Sequence, residues 1–146
     1  MAGLTSPAGM QAFPFVAALS GVSEVPPVAS TGQGATVLGF DPALATLRVI
    51  LAVSNLRGVT AAHIHIGRPG ENGPIVLSLY GPSPGVNIGA STVLTNRTFT
   101  AANLTGPLAG MPLSALVRHI LTGNAYVNVH TLANPNGEIR GQIVRR

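Results

Sequence analysis

The chain has 146 residues, a length suited to one domain with a single hydrophobic core. Only 8% of the residues are charged, and the eight cations are arginines scattered along the chain, which argues against a nucleic-acid partner. Cysteine is absent, so disulfides and thiolate metal sites are excluded, and no apolar run approaches the roughly 18–20 residues of a membrane span.

The first eleven residues are small and polar, which predicts an N-terminal arm at residues 1–11 ahead of one domain at residues 12–146. No Lys or Arg precedes the apolar segment Phe13–Leu19, so the start is not typical of a secretory signal peptide. Either a signal peptide has been removed, or the protein reaches its destination without one.

Short apolar runs separated by Gly, Pro and Asn predict an all-β sandwich or barrel. The clearest strand is Leu44–Val53, in which every second residue from Ala45 onward is apolar and shares one face. Gly81–Gly89 and Pro107–Pro112 are predicted loops, and Asn134–Gly137 is a predicted turn. The other predicted strands are Phe13–Leu19, Ala35–Phe40, Ala61–Ile66, Ile75–Tyr80, Thr92–Phe99, Ala125–Thr131 and Glu138–Val144.

One short helix is predicted over Leu113–Leu121, ended by Gly123. His119 lies beside Arg118, off the apolar stripe of this helix, so we predict a surface position and assign it no role. The stripe consists of Leu113, Leu116, Val117, Ile120 and Leu121.

Three histidines form the candidate metal site. His63 and His65 lie two apart on the strand Ala61–Ile66, so their side chains point to the same face of the sheet. His130 lies on the polar face of another strand, and the three imidazoles converge if the two strands pair. Three nitrogen ligands suit copper or zinc. The alternative is that these rings hydrogen-bond backbone or carboxylate groups and hold the loop after Gly67.

Apart from the candidate metal site, the sequence contains no pattern typical of an enzyme active site, so no catalytic residue is predicted. There is no cysteine nucleophile, and the serines occur in no nucleophile-elbow pattern. The glycine-rich segment Gly67–Gly73 is interrupted by a proline and followed by no helix, so it is not a phosphate loop. Glu138 and Arg140 lie two apart on one face, which favours an ion pair or hydrogen bonds across the final hairpin. If they are buried beside His130, either residue could instead orient an imidazole.

Three blocks of sequence resemble one known domain. They are Leu19–Gly21 with Glu24–Pro27, Ala62–Gly67 with Asn72–Val76, and Gly123–Thr131 with Asn134–Ile143. Together they resemble the CHRD domain, named for chordin, from about residue 12 to the end. The resemblance implies an antiparallel Greek-key β-sandwich, immunoglobulin-like or superoxide-dismutase-like. CHRD domains occur in chordin, which binds extracellular growth factors, and in many bacterial proteins of unassigned role.

A more distant resemblance is to copper/zinc superoxide dismutase. That enzyme's copper site also uses His-x-His on a strand, a following glycine-bearing loop and a histidine near the C-terminal end, and His63, His65 and His130 match these positions. The chain departs from the enzyme in having no bridging histidine or zinc cluster, no disulfide, and only Arg140 as a loose candidate for the substrate-guiding arginine. The resemblance therefore implies a bound copper or zinc ion more than dismutase activity.

The sequence favours a non-enzymatic structural or interaction module at a cell, spore or extracellular surface. Its low charge suits packing against copies of itself, for instance in a filament, although biased codon usage explains the composition equally well. In this interpretation residues 1–11 add to a neighbour's sheet, and the expected partners are copies of the same chain. The alternative function is a copper- or zinc-binding protein related to superoxide dismutase, which uses the three-histidine site.

Overall fold

A computed structural model describes residues 14–146, which form ten β-strands, one α-helix and three 3-10 turns. The predicted arm at residues 1–11 lies outside the described residues, as does Phe13. The strands are β1 (Phe15–Ser20), β2 (Gln33–Asp41), β3 (Thr46–Ser54), β4 (Leu56–Ile66), β5 (Ile75–Tyr80), β6 (Val86–Ile88), β7 (Thr92–Phe99), β8 (Ala125–Thr131), β9 (Ile139–Gln142) and β10 (Val144–Arg145). The helix is α1 (Leu113–Leu121), and the 3-10 turns are Gly21–Ser23, Ala101–Asn103 and Gly106–Leu108.

The strands form a nearly closed antiparallel sheet in the order β5-β4-β8-β9-β1-β2-β3-β7, with β6 paired to β4 and β10 paired to β1. The first and last strands of this order, β5 and β7, meet where the Thr95 hydroxyl donates a hydrogen bond to the Leu79 carbonyl at 2.9 Å. The connections from β3 to β4 and from β7 to β8 cross the sheet. The predicted all-β antiparallel fold is confirmed, and the nearly closed sheet encloses one hydrophobic core.

The alternation in β3 places every second side chain in the core. Leu47, Val49 and Leu51 are fully buried, as the pattern predicts. The predicted start of this strand at Leu44 is wrong, because a turn separates β2 from β3. In that turn the Asp41 carboxylate accepts the Ala43 N–H, and Ala45 has a φ of 52°.

Two differences from the predicted elements, at β4 and β6, have a local cause. Strand β4 begins at Leu56 rather than Ala61, because the chain pairs with β6 through Leu56 and Val59. Strand β6 lies inside the predicted loop Gly81–Gly89, where three residues are too few to show an alternating pattern. The helix α1 has the predicted limits, but Leu121 of its stripe is 55% exposed.

None of the helices formed by residues 14–146 has the length and hydropathy needed to cross a membrane.

Candidate metal centre

Antiparallel pairing of β4 with β8 brings the three predicted histidines together. In the register of these strands His63 lies opposite Asn128, and His130 lies opposite Ala61. One ring nitrogen from each of His63, His65 and His130 lies within 4.8 Å of the others. The closest approach is 3.1 Å, between His63 Nδ1 and His130 Nε2. The convergence predicted from strand parity therefore occurs, while metal binding at this cluster stays a prediction.

Backbone carbonyls determine which ring nitrogens face the cluster. His65 Nδ1 lies 2.9 Å from the Gly73 carbonyl oxygen, and His130 Nδ1 lies 2.8 Å from the Pro135 carbonyl oxygen. A carbonyl only accepts hydrogen bonds, so each Nδ1 carries the proton. In the neutral rings both Nε2 atoms are left with free lone pairs directed into the cluster. Metal-ligating histidines are oriented by the same kind of bond from their second nitrogen.

The Asn128 side chain adds a further acceptor at the centre of the cluster. Its Oδ1 lies 2.9 Å from His65 Nε2 and 3.0 Å from His130 Nε2. His63 can donate its Nδ1–H to His130 Nε2, but His65 Nε2 and Asn128 Oδ1 still face each other without a hydrogen between them. This arrangement is satisfied by a cation within the cluster, or by turning the amide so that its NH₂ faces the rings.

The electrostatics of the cluster favour the neutral form of His63 and His65. Burial, together with the neighbouring His130 and His65, lowers the pKa of His63 from 6.5 to about 4. Burial also lowers the pKa of His65, although its hydrogen bond to Gly73 acts in the opposite direction. Metal ions bind the neutral form of imidazole, so both rings are in the form that a metal requires at neutral pH.

The donor set fits a small transition-metal ion. Two nitrogens bound to the same zinc at about 2.0–2.1 Å lie roughly 3.3–3.5 Å apart. The 3.1 Å between His63 Nδ1 and His130 Nε2 lies close to this range, while the 4.8 Å limit for the whole cluster is wider. Binding of one ion by all three nitrogens would therefore draw the rings closer together. Imidazole nitrogens without thiolates suit copper(II) and zinc.

Aromatic packing holds the buried ring of His65 in place. The rings of His65 and Tyr126 stack with centroids 4.7 Å apart and an angle of 6° between their planes. The Arg140 guanidinium carbon lies 3.4 Å from the Tyr126 centroid. The Tyr126 phenol oxygen accepts the Gly73 N–H at 3.1 Å, and thereby holds the carbonyl that orients His65. The predicted role of the histidines in holding the loop after Gly67 is thus present beside the metal-site geometry.

Of the two interactions predicted for Glu138 and Arg140, the hydrogen bonds across the final hairpin are present at Glu138, whereas Arg140 has other partners. Glu138 accepts hydrogen bonds from Ser30 at 2.6 Å and from Thr131 at 2.7 Å. Arg140 is 1% exposed, stacks on Tyr126 and donates to the Arg68 carbonyl at 2.9 Å. Burial on the Tyr126 side draws the guanidinium away from Glu138.

The predicted surface position of His119 needs a small correction. The residue is half-buried, and its Nδ1 lies 2.9 Å from the Asn124 amide nitrogen at the end of α1. It lies outside the cluster of the other three histidines.

Glu24 is a buried carboxyl group that lies in one of the blocks of family resemblance but to which the sequence assigns no functional role. It is 5% exposed, and burial raises its pKa from 4.5 to about 7, against the opposing effects of Arg140 and of a hydrogen bond from Asn128. Among residues 14–146 its Oε2 has no hydrogen-bond partner. A single glutamate before two prolines carries no recognisable spacing, so only the folded structure reveals its link to Asn128 and the histidines.

The family model for the CHRD domain matches residues 15–143, nearly the whole chain. No curated protein and no solved structure matches.

Proposed function

The chain belongs to the CHRD family, and we propose that it is a module that binds one copper or zinc ion through His63, His65 and His130. CHRD domains are generally extracellular. The observation that carries the proposal is the orientation of the rings, because His65 and His130 donate their Nδ1–H groups to backbone carbonyls and direct both Nε2 atoms into the cluster.

The chemistry of the cluster supports copper or zinc over other ions. Magnesium and calcium prefer oxygen ligands, whereas three neutral imidazoles suit zinc and copper. Three protein ligands leave a fourth position for water or another ligand. When bound, zinc would supply a Lewis acid and copper would supply one-electron redox chemistry. The protein's own residues would hold the three nitrogens, and burial keeps His63 and His65 unprotonated.

The decisive test is metal content. Protein dialysed against copper or zinc and then desalted is compared with a His63→Ala/His65→Ala variant by elemental analysis. We expect about one ion per wild-type chain and a loss of most of it in the double variant. His119→Ala is the matched control, because this histidine lies outside the cluster, and it should retain the ion. Equal metal content in the wild type and the double variant would exclude these residues as ligands.

As a second function we propose that copies of the chain associate at a cell, spore or other extracellular surface, with residues 1–11 adding to a neighbour's sheet. Two features support it: the low charge of the chain and large apolar side chains on its surface. Val22, Leu44 and Leu132 are 74%, 71% and 66% exposed.

Electron microscopy and light scattering of the purified protein, with and without residues 1–11, test this second function. We expect assemblies that the deletion abolishes. Monodisperse monomers from both forms under all conditions would refute it.

A further inference from the structure

The side chain of Asn128 lies among the three histidines, next to two of their rings. We propose that its oxygen Oδ1 is the fourth ligand of the ion held by His63, His65 and His130, so that the site is closed and the ion is structural. This inference rests on the proposed metal site, and it assigns the fourth position that three histidines leave.

The register of the sheet determines the position of Asn128. It lies opposite His63 in the pairing of β4 with β8, and directly paired residues point to the same face of a sheet. Along β8 it lies two residues before His130, which also places these two side chains on one face. Asn128 is 3% exposed, so its amide has to find partners within the cluster or beside it.

Asn128 contacts the ring nitrogens that would hold the ion. Its Oδ1 lies 2.9 Å from His65 Nε2 and 3.0 Å from His130 Nε2. The outer partner of a metal-bound histidine contacts the ring nitrogen that does not bind the metal. In both rings that nitrogen is Nδ1, and a backbone carbonyl already occupies the place beside it. Asn128 therefore has the position of a ligand rather than that of an outer partner.

The contact between Asn128 Oδ1 and His65 Nε2 has no hydrogen in it. The proton of His65 lies on Nδ1, which donates it to the Gly73 carbonyl, so Nε2 presents a lone pair to the amide oxygen. A cation bound by both atoms turns this unfavourable contact into a favourable one. The two distances from Oδ1, and the 3.1 Å between His63 Nδ1 and His130 Nε2, fall just below the roughly 3.3–3.5 Å between two ligands of one zinc ion.

Glu24 favours the amide orientation that such a ligand needs. Asn128 Nδ2 and Glu24 Oε2 lie 2.6 and 2.5 Å from the position that a Cβ on Gly137 would occupy. A carboxyl group keeps an oxygen that accepts hydrogen bonds in both of its protonation states, so it favours the donor Nδ2 on its own side of the amide. With Nδ2 on the side of Glu24, Oδ1 points to the histidines.

A closed site gives the ion a different role from an open one. Structural zinc sites have four protein ligands, whereas catalytic sites keep one position for water or substrate. The four proposed ligands come from β4 and β8 only, so an ion among them ties these two strands together. Because unfolding separates the ligands, bound zinc should raise the urea concentration at the midpoint of unfolding.

Cobalt(II) replaces zinc in the test, because its visible absorption reports the number of ligands. It is titrated into chelator-treated wild type, Asn128→Ala, Asn128→Asp and Asn96→Ala, and sodium azide is then added to occupy any open position. We expect the wild type to give the intense absorption of four-coordinate cobalt, unchanged by azide. Asn128→Ala should bind cobalt at least about tenfold more weakly and respond to azide.

Two variants serve as controls. Asn128→Asp keeps a side-chain oxygen at the same position and should exclude azide as the wild type does. Asn96→Ala removes an exposed asparagine on β7, outside the cluster, and should match the wild type in affinity and absorption.

The outcomes separate this inference from the proposed function. A wild type that binds cobalt but changes its absorption with azide has an open position, which would overturn the inference and leave the metal site intact. That result does not depend on whether Asn128→Ala folds. Equal affinity and equal indifference to azide in the wild type and a folded Asn128→Ala would also overturn it. A wild type that binds neither cobalt nor zinc would reject the proposed metal function, and the inference with it.

Discussion

Replacing Glu24 by glutamine should stabilise the metal-free protein at alkaline pH. Burial raises the pKa of Glu24 from 4.5 to about 7, and the carboxyl is 5% exposed. The folded state therefore binds more protons than the unfolded state between these values, and wild-type stability falls as the pH rises through this window. A shift of this size corresponds to about 3.4 kcal/mol at 1.36 kcal/mol per pH unit. Solvent in the two clefts that Glu24 lines, of about 400 and 470 Å³, reduces the expected gain to about 1–3 kcal/mol.

Urea unfolding at about pH 4 and about pH 8, with a chelator present, measures this difference. Glu24→Gln and the wild type should have equal free energies of unfolding at the lower pH, where the carboxyl is protonated in both states. The variant should be more stable at the higher pH, and Glu71→Gln, which removes an exposed carboxylate, should show no comparable gain. A difference between Glu24→Gln and the wild type that is the same at both pH values would refute the reasoning.

Three further substitutions test the packing around the site by the same unfolding assay. Gly137→Ala should lower the free energy of unfolding by about 2 kcal/mol or more, because the φ of Gly137 is 122° and the new Cβ would lie 2.5 Å from Glu24 Oε2. An unchanged free energy of unfolding would contradict that close approach. Tyr126→Phe removes the acceptor of the Gly73 N–H and should cost about 1–3 kcal/mol, and a neutral result would mean that this N–H finds another partner. Leu116→Ala, in the buried face of the helix, should cost about 2–5 kcal/mol, and a loss below 1 kcal/mol would mean that the helix is loosely packed.

Sequence reasoning predicts well the features that follow from the local periodicity of apolar residues. The alternation of Leu47, Val49 and Leu51 establishes which face of β3 is buried, and parity alone places His63 and His65 on one face. The convergence with His130 needed one further condition, the pairing of β4 with β8, which the structure meets.

The features that sequence reasoning misses depend on contacts between distant segments. Glu24 lies about one hundred positions from Asn128, and nothing in either local pattern indicates that they meet beside Gly137. The interactions expected of Glu138 and Arg140 rested on spacing alone. The hydrogen bonds across the hairpin occur at Glu138, but Arg140 stacks on Tyr126, which offers the guanidinium a buried aromatic surface on the neighbouring strand.

The histidine cluster and its surroundings contain two unfavourable contacts. His65 Nε2 faces an amide oxygen 2.9 Å away with no hydrogen between them, and Glu24 Oε2 is buried without a partner among residues 14–146. Buried polar groups in a purely structural network are normally satisfied, so the first contact supports the proposal of a cation within the cluster. A cation there would satisfy His65 and Asn128 directly. It would leave the Glu24 carboxyl as it is, because Asn128 already directs its Oδ1 to the histidines and its Nδ2 to the space beside Gly137.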